Sequence, residues 1–396
     1  MASYIRFLTF GVPFEAFTKD LWLICLSNAI GAFGEGLYFW IFPIYVRSLQ
    51  ADYVQLGMVI SALYGASALA PLPGGWLADR FDRRKILILA WTPWFIAPLF
   101  YAAATHWTLL IPGTLCWGLS MVGVPSLNAY IITAVEDKRK LASVFSFVWA
   151  SYSFSYIFAP ATGAFLGSFI GVRSVFLVSA ALCAVATSIF LFIRGQRPKL
   201  NAQKAVLHSP SSVEEKKAWR KVLLWAFFLT AVGFFAAVGR VFTQTFLNEE
   251  VKFDEFQVGL FGSINFAGLT FLGIMMGRLG DKWRKPRAIS LCLLFHVFSM
   301  LPFLLTKEPA VLMFSAFFHS GTIIVGSLVS SYVGTVAPEN KRGLWVSVPQ
   351  TLSLTATFAA PYLSTFLYVQ SPYYAFGASL ISIPFLILVA LTILRE

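Results

Sequence analysis

Two ionisable side chains stand inside long apolar runs of this 396-residue chain. Glu35 lies in Gly31-Ala32-Phe33-Gly34-Glu35-Gly36, and Arg240 lies in Gly239-Arg240-Val241. A buried carboxyl is suited to carrying a proton, and a buried guanidinium to holding an anion or a carboxylate. Both groups are costly in hydrocarbon and mark ion pathways or structural pairs there. Around them is a sparse set of polar residues: Asn28, one heptad before Glu35, Asn128, Gln244, one turn from Arg240, Asn265, His319 and Gln350. His319 can titrate near neutral pH, although a lone histidine in a helix is more often a structural hydrogen-bonder. Trp149, Tyr152 and Tyr156 recur three and four apart, on one helix face. They can stack on a lipophilic or cationic organic molecule. The blander reading makes them lipid-facing bulk or interfacial anchors.

The elements that must carry these residues follow from composition. Hydrophobic residues make up 58% of the chain and charged ones only 12%, about half the charged share usual in soluble domains. Mean hydropathy is +0.74. The apolar residues run in blocks of about twenty, the length of a bilayer-crossing helix. We place spans at 20–46, 54–78, 86–105, 108–135, 141–170 and 172–193, then at 221–247, 257–279, 288–306, 309–336, 344–370 and 373–394. The fold class is an all-α membrane protein of twelve transmembrane helices. The first span is too long for a signal-peptide core, and no convincing cleavage site follows it. Residues 4–17 have the pattern of an amphipathic surface segment.

The net charge of +12 is topological. With these spans, 25 of the 30 basic residues fall in loops or at span ends on one side, four on the other, and Arg240 well within a span. Basic residues are retained on the cytoplasmic side, so both termini are expected there, in the plasma membrane. No nucleic-acid partner is implied. Cys25, Cys116, Cys183 and Cys292 all fall within spans and read as packing residues. Neither a phosphate-cradling glycine loop nor a clustered histidine set occurs, so no enzyme activity, cofactor or metal is expected.

An internal repeat divides the chain. Gly75-Trp76-Leu77-Ala78-Asp79-Arg80 after the second span is answered by Gly277-Arg278-Leu279-Gly280-Asp281-Lys282 after the eighth, at an offset of 202. Lys138-Arg139 is answered by Lys341-Arg342 at 203, and Ala159-Pro160 by Ala360-Pro361 at 201. The expected organisation is therefore two pseudo-symmetric six-helix bundles, residues 1–193 and 221–396, joined by a polar cytoplasmic linker at 194–220. Glycines 75 and 277 are expected to admit a close neighbouring helix. Asp79 is expected to meet a helix N-terminus or nearby arginines.

The Gly-x-Leu-Ala-Asp-Arg loop with trailing basic residues, and its weaker second copy, resembles the signature loop of the major facilitator superfamily. Asp82 and Arg284 stand where that family often has a second glycine. Ala159-Pro160-Ala161-Thr162-Gly163-Ala164 loosely resembles the hinge motif of the superfamily's antiporters. The arginine those antiporters often carry in span four is absent from Leu115–Gly123.

The resemblance implies secondary transport by alternating access, with spans one and seven lining a central cavity. Glu35 and Arg240 would then face that cavity. Three readings are open: a proton-carrying Glu35, a fixed Glu35–Arg240 pair, or an Arg240 that snorkels outward while Glu35 bonds locally. The expected function is export of a moderately hydrophobic solute by a monomer, with protons as a coupling partner. The alternatives are uptake of a small organic anion, or a transporter-like sensor or scaffold without flux.

Overall fold

The structure, a computed structural model, describes residues 14–137, 140–197, 213–338 and 342–394. Most of the amphipathic segment at 4–17 lies outside these residues, as do Lys138, Arg139 and Lys341 of the repeat. Twelve helical segments among the described residues are long and apolar enough to cross a membrane. No strand occurs among them.

The helices of the first sequence half are α1 (Lys19–Phe39), α2 (Phe42–Ser48), α3 (Tyr53–Leu69), α4 (Pro71–Ala78), α5 (Arg83–Ala103), α6 (Leu110–Ser120), α7 (Gly123–Ala134), α8 (Leu141–Ile170) and α9 (Val172–Ile189). Those of the second are α10 (Val213–Arg240), α11 (Thr243–Glu249), α12 (Glu255–Lys282), α13 (Lys285–Leu305), α14 (Pro309–Ala316), α15 (Gly321–Val336), α16 (Arg342–Gln370) and α17 (Pro372–Thr392). Helix α10 starts well before the span expected at 221–247, so residues 213–220 of the expected linker are helical. Spans one and seven each break into two helices. The breaks, Trp40–Ile41 and Val241–Phe242, are equivalent positions of the repeat. Pro43 stands in the first turn of α2, where its missing N–H costs nothing. By contrast, α8 runs as one helix through Pro160.

Contacts sort the chain into two compact units. The first is Met1–Phe39, Leu69–Thr105 and Leu109–Gln203. Here α1 packs on α8 and α9, around a core that includes Leu21, Leu87, Trp91, Leu127, Ile131 and Phe190. The second is Trp40–Ala68, His106–Thr108 and Lys204–Glu396. In it α10 packs on α16 and α17, and α13 on α15 and α17. Trp225 stacks on Tyr332 with centroids 4.0 Å apart. In both units large apolar side chains point outward, among them Phe192 and Ile381. Such residues need no covering where lipid is the solvent.

Candidate functional site

Glu35 sits on α1 in the first unit and is 1% exposed. The local sequence explains how a carboxyl reaches that depth: the glycines around it let three helices close on α1. A Cβ on Gly31 would stand 2.2 Å from the Trp94 ring. One on Gly163 of α8 would stand 1.8 Å from the Leu37 carbonyl oxygen. Gly163, in the hinge-like motif, is thus where α8 approaches the α1 backbone.

The carboxylate is met by neutral donors. Trp94 Nε1 donates to Glu35 Oε2 at 2.9 Å, and Tyr152 Oη donates to the same oxygen at 3.2 Å. Tyr156 and Trp117 also lie near enough to favour the charged form of the carboxyl group. Tyr152 Oη, its one hydrogen directed at Glu35, also lies 3.4 Å from Tyr156 Oη. Trp149, one turn back on α8, donates its Nε1–H to Asn128 Oδ1 at 3.2 Å. The aromatic stripe on α8 therefore faces Glu35, and the lipid-facing reading does not hold for Tyr152 and Tyr156. Glu35 takes all these bonds from its own unit. Buried charge is tolerable only when its lone pairs are satisfied, and the aromatic N–H and O–H groups do this without an arginine.

Arg240 lies in the second unit, in the last turn of α10, where a cation complements the helix carbonyls. Tyr64, His296 and His319 all lie within reach of its charge. His319 Nδ1 is 2.9 Å from Ser299 Oγ, and its ring packs on Trp40 and Phe261. His296 Nε2 is 2.8 Å from Ser379 Oγ. Asn265 Oδ1 accepts from Ser320 Oγ at 2.5 Å.

The other polar candidates are scattered. Asn28 is buried and donates to the Val148 carbonyl at 3.3 Å, tying α1 to α8. Gln350 is exposed and donates to Ser330 Oγ at 3.0 Å. Gln244 is partly buried on α11.

The signature loop needs two corrections. No atom lies within 4 Å of a Cβ built on Gly75 or Gly277, so neither admits a neighbouring helix. The close approach belongs to Gly74, whose Cβ would stand 2.3 Å from the Val122 carbonyl oxygen. In the second copy Gly280 is the crowded one, 2.7 Å from Leu328. Of the two partners expected for Asp79, the exposed residue just after α4, the nearby arginine is present, Arg83 lying within reach of its charge, but a helix N-terminus is not. Asp82 caps α5, its Oδ1 accepting from the Arg84 backbone at 2.9 Å and from the Gln196 backbone at 3.3 Å. Arg80 rests over the Trp76 ring at 4.4 Å. Lys282 is exposed at the end of α12, and the Asp281 side chain lies outside the described residues.

Sequence reasoning overlooked two features. Trp94, a donor to Glu35, carried no polar signal. The other is a cluster in the second unit: Arg47 Nε donates to Glu249 Oε1 at 2.6 Å, and Tyr53 Oη donates to Glu249 Oε2 at 2.7 Å. Arg47 also lies 4.3 Å from the Tyr53 ring centroid. Sequence reasoning had counted Arg47 only among the four basic residues opposite the basic side.

Comparison with known proteins agrees with this architecture. The family model described as Major Facilitator Superfamily matches residues 24–247 and 238–396. Multidrug resistance protein 2 of Bacillus subtilis (strain 168) is 22% identical over 371 residues, covering 90% of this chain and 91% of its own. Multidrug resistance protein MdtG of Citrobacter koseri is 25% identical over 301 residues, covering 73% and 72%. Among solved structures, the nucleoside transporter NupG is similar with a TM-score of 0.74 and 14% identity, covering 94% of this chain and 98% of that one. A bacterial homologue of the iron transporter ferroportin, in an inward-facing state, is similar with a TM-score of 0.72 and 14% identity, covering 96% and 99%.

Proposed function

The chain belongs to the major facilitator superfamily, and from that premise we propose that this membrane transporter exports a moderately hydrophobic organic solute in exchange for protons. One observation carries the reading: Glu35, the single buried carboxyl among the described residues, is held by aromatic donors. The faces of Tyr152, Tyr156 and Trp149 suit a flat or cationic organic molecule. The anionic form of Glu35 complements a cation and uses the donors around it. A protonated carboxyl carries one O–H of its own and needs an acceptor, so the donor set must rearrange. Proton binding and solute binding then compete for one group, the linkage an exchanger requires. The relatives named as multidrug resistance proteins support this substrate class.

The two sequence halves, 1–193 and 221–396, act as alternating-access partners in a monomer. The excess of basic residues on one set of loops supports a plasma-membrane orientation with both termini in the cytoplasm. Arg240 favours a second reading, uptake of a small organic anion. Its nearby groups are tyrosine and histidine, and no carboxylate pairs with it among the described residues.

Proteoliposomes loaded with a fluorescent lipophilic cation test both. An imposed proton gradient is expected to drive accumulation by the wild type. Glu35→Gln, which mimics the protonated carboxyl, is expected to abolish that accumulation, to weaken binding of the dye and to remove the pH dependence of that binding. Equal accumulation by Glu35→Gln, with the same pH dependence, would overturn the exchange. Accumulation of organic anions instead, lost in Arg240→Ala, would establish the second reading. Ligand binding with no flux of either class would leave a sensor.

A further inference from the structure

Of the four basic residues that follow Asp79 in the signature loop, two are committed to the protein's own carbonyls. Arg83 Nη1 donates to the Ala129 carbonyl at 3.1 Å, to Thr133 Oγ1 at 2.7 Å and to Gln196 Oε1 at 2.5 Å. Arg84 Nε donates to the Phe190 carbonyl at 3.1 Å, and its Nη2 donates to the Leu191 carbonyl. These two guanidiniums hold helix ends together. Arg80 and Lys85 do neither, and both are exposed.

They line a cavity of about 760 Å³ in the first unit, and Arg197 joins them from the segment after α9. Three cations therefore line it with one carboxylate, Asp82, whose Oδ1 is engaged by two backbone amides. None of the three forms an ion pair among the described residues. The rest of the lining is apolar, including Phe81, Leu89 and Leu119. Leu89 is 74% exposed, yet it lies inside the membrane span Arg83–Ala103. Lys85 and Leu89 are one turn apart on α5, so the cationic end and the apolar floor share one helix face about 6 Å apart.

We propose that this groove is a binding site for an anionic phospholipid, its phosphate between Arg80, Lys85 and Arg197 and an acyl chain along Leu89 and Leu119. Basic pockets at the membrane boundary between helices suit such headgroups. Charge complementarity selects the lipid: a zwitterionic headgroup brings an ammonium into a site that already holds three cations. The apolar floor selects a lipid over a soluble phosphate, which would leave Leu89 and Leu119 without a partner. Of the stretches outside the described residues, 1–13 and 198–212 contain no acidic residue and supply no anion, whereas 339–341 and 395–396 each carry one glutamate. The site is separate from Glu35 and does not depend on what is transported.

Native mass spectrometry of the full chain in detergent tests the proposal. Phosphatidylglycerol and phosphatidylcholine of equal chain length are titrated separately against the wild type and against Arg80→Gln, Lys85→Gln and Arg197→Gln. The wild type is expected to retain phosphatidylglycerol preferentially, with affinity falling about fivefold for each cation removed. Lys85→Arg is expected to retain the preference. Equal retention of the two lipids by the wild type overturns the site, and this arm needs no variant to fold. Unchanged phosphatidylglycerol binding in all three neutral variants, shown by melting curves to be folded, overturns it as well. Displacement of the lipid by inorganic phosphate at equal concentration would make the groove a soluble-anion site and reject the lipid.

Discussion

Arg47 and Glu249, joined at 2.6 Å, stand 202 residues apart, the spacing of the internal repeat. They end two short helices, α2 and α11, that follow the equivalent breaks in spans one and seven. Burial draws the Arg47 guanidinium down, but the hydrogen bond and charge of Glu249 outweigh it and hold it above its ordinary range. Both side chains are about a quarter exposed, so screening limits the pair's worth.

We expect Arg47→Gln and Glu249→Gln each to lower stability by about 1 kcal/mol, a modest cost for a half-screened pair reinforced by Tyr53. Thermal melting in detergent reports it. The charge swap Arg47→Glu with Glu249→Arg should recover part of the loss. A swap no better than the sum of its single variants would show that the charges are not coupled.

The neighbouring glycines of the signature loop should respond in opposite directions. Gly74→Ala drives a methyl into the Val122 carbonyl and is expected to destabilise by about 2 kcal/mol, as overpacking against backbone does. Gly75→Ala meets open space and is expected to stabilise α4 by about 0.5 kcal/mol through helix propensity. The two melting temperatures should therefore straddle the wild type, and a larger loss at Gly75 would contradict this packing.

Trp94→Phe preserves an aromatic ring but removes the N–H that serves Glu35. A hydrogen bond to a charged group suggests a cost of about 1.5 kcal/mol. In a double-mutant cycle with Glu35→Gln, most of that cost should appear as coupling between the two sites. Gly31→Ala, which forces the indole aside, should weaken the same coupling while leaving both partners chemically intact. Additive effects of Trp94→Phe and Glu35→Gln would mean that the bond contributes nothing.

Lys307 offers a pH test outside the spans. Its hydrogen bond to Glu250, 3.0 Å long, raises its pKa. The folded form therefore holds this proton more tightly than the unfolded one. The contribution is fully present below the unfolded lysine pKa, about 10.4, and is lost as pH rises through the higher folded value. Stability curves of wild type and Lys307→Gln should run parallel at neutral pH and converge at the alkaline end. Divergence there would refute the sign.

Much of this molecule can be read from its residues because lipid imposes strong rules. Apolar runs of fixed length gave the spans, and Leu141–Ile170 came out as placed. The three-and-four spacing put Trp149, Tyr152 and Tyr156 on one face of α8 but did not tell what that face meets, and the structure turns Tyr152 toward Glu35. What stayed hidden depended on helix rotation and tertiary approach. Adjacent glycines differ by about 100° around a helix, so no pattern in the loop distinguishes Gly74 from Gly75. Trp94 looks like any tryptophan among apolar neighbours until the α1 glycines bring it to a carboxylate. Asp82, read as a missing glycine, is instead a helix cap.

The equivalent breaks at Trp40–Ile41 and Val241–Phe242 also carry a history. Features shared by both copies of a duplicated segment are inherited from the single ancestral half. Arg47 and Glu249 occupy equivalent positions yet have opposite charges, and that difference cannot be inherited. A symmetric pair of identical halves sets like residues against each other at such a point, arginine to arginine or glutamate to glutamate. The ion pair thus arose after duplication, when the copies were free to diverge, and marks a gain of asymmetry between them.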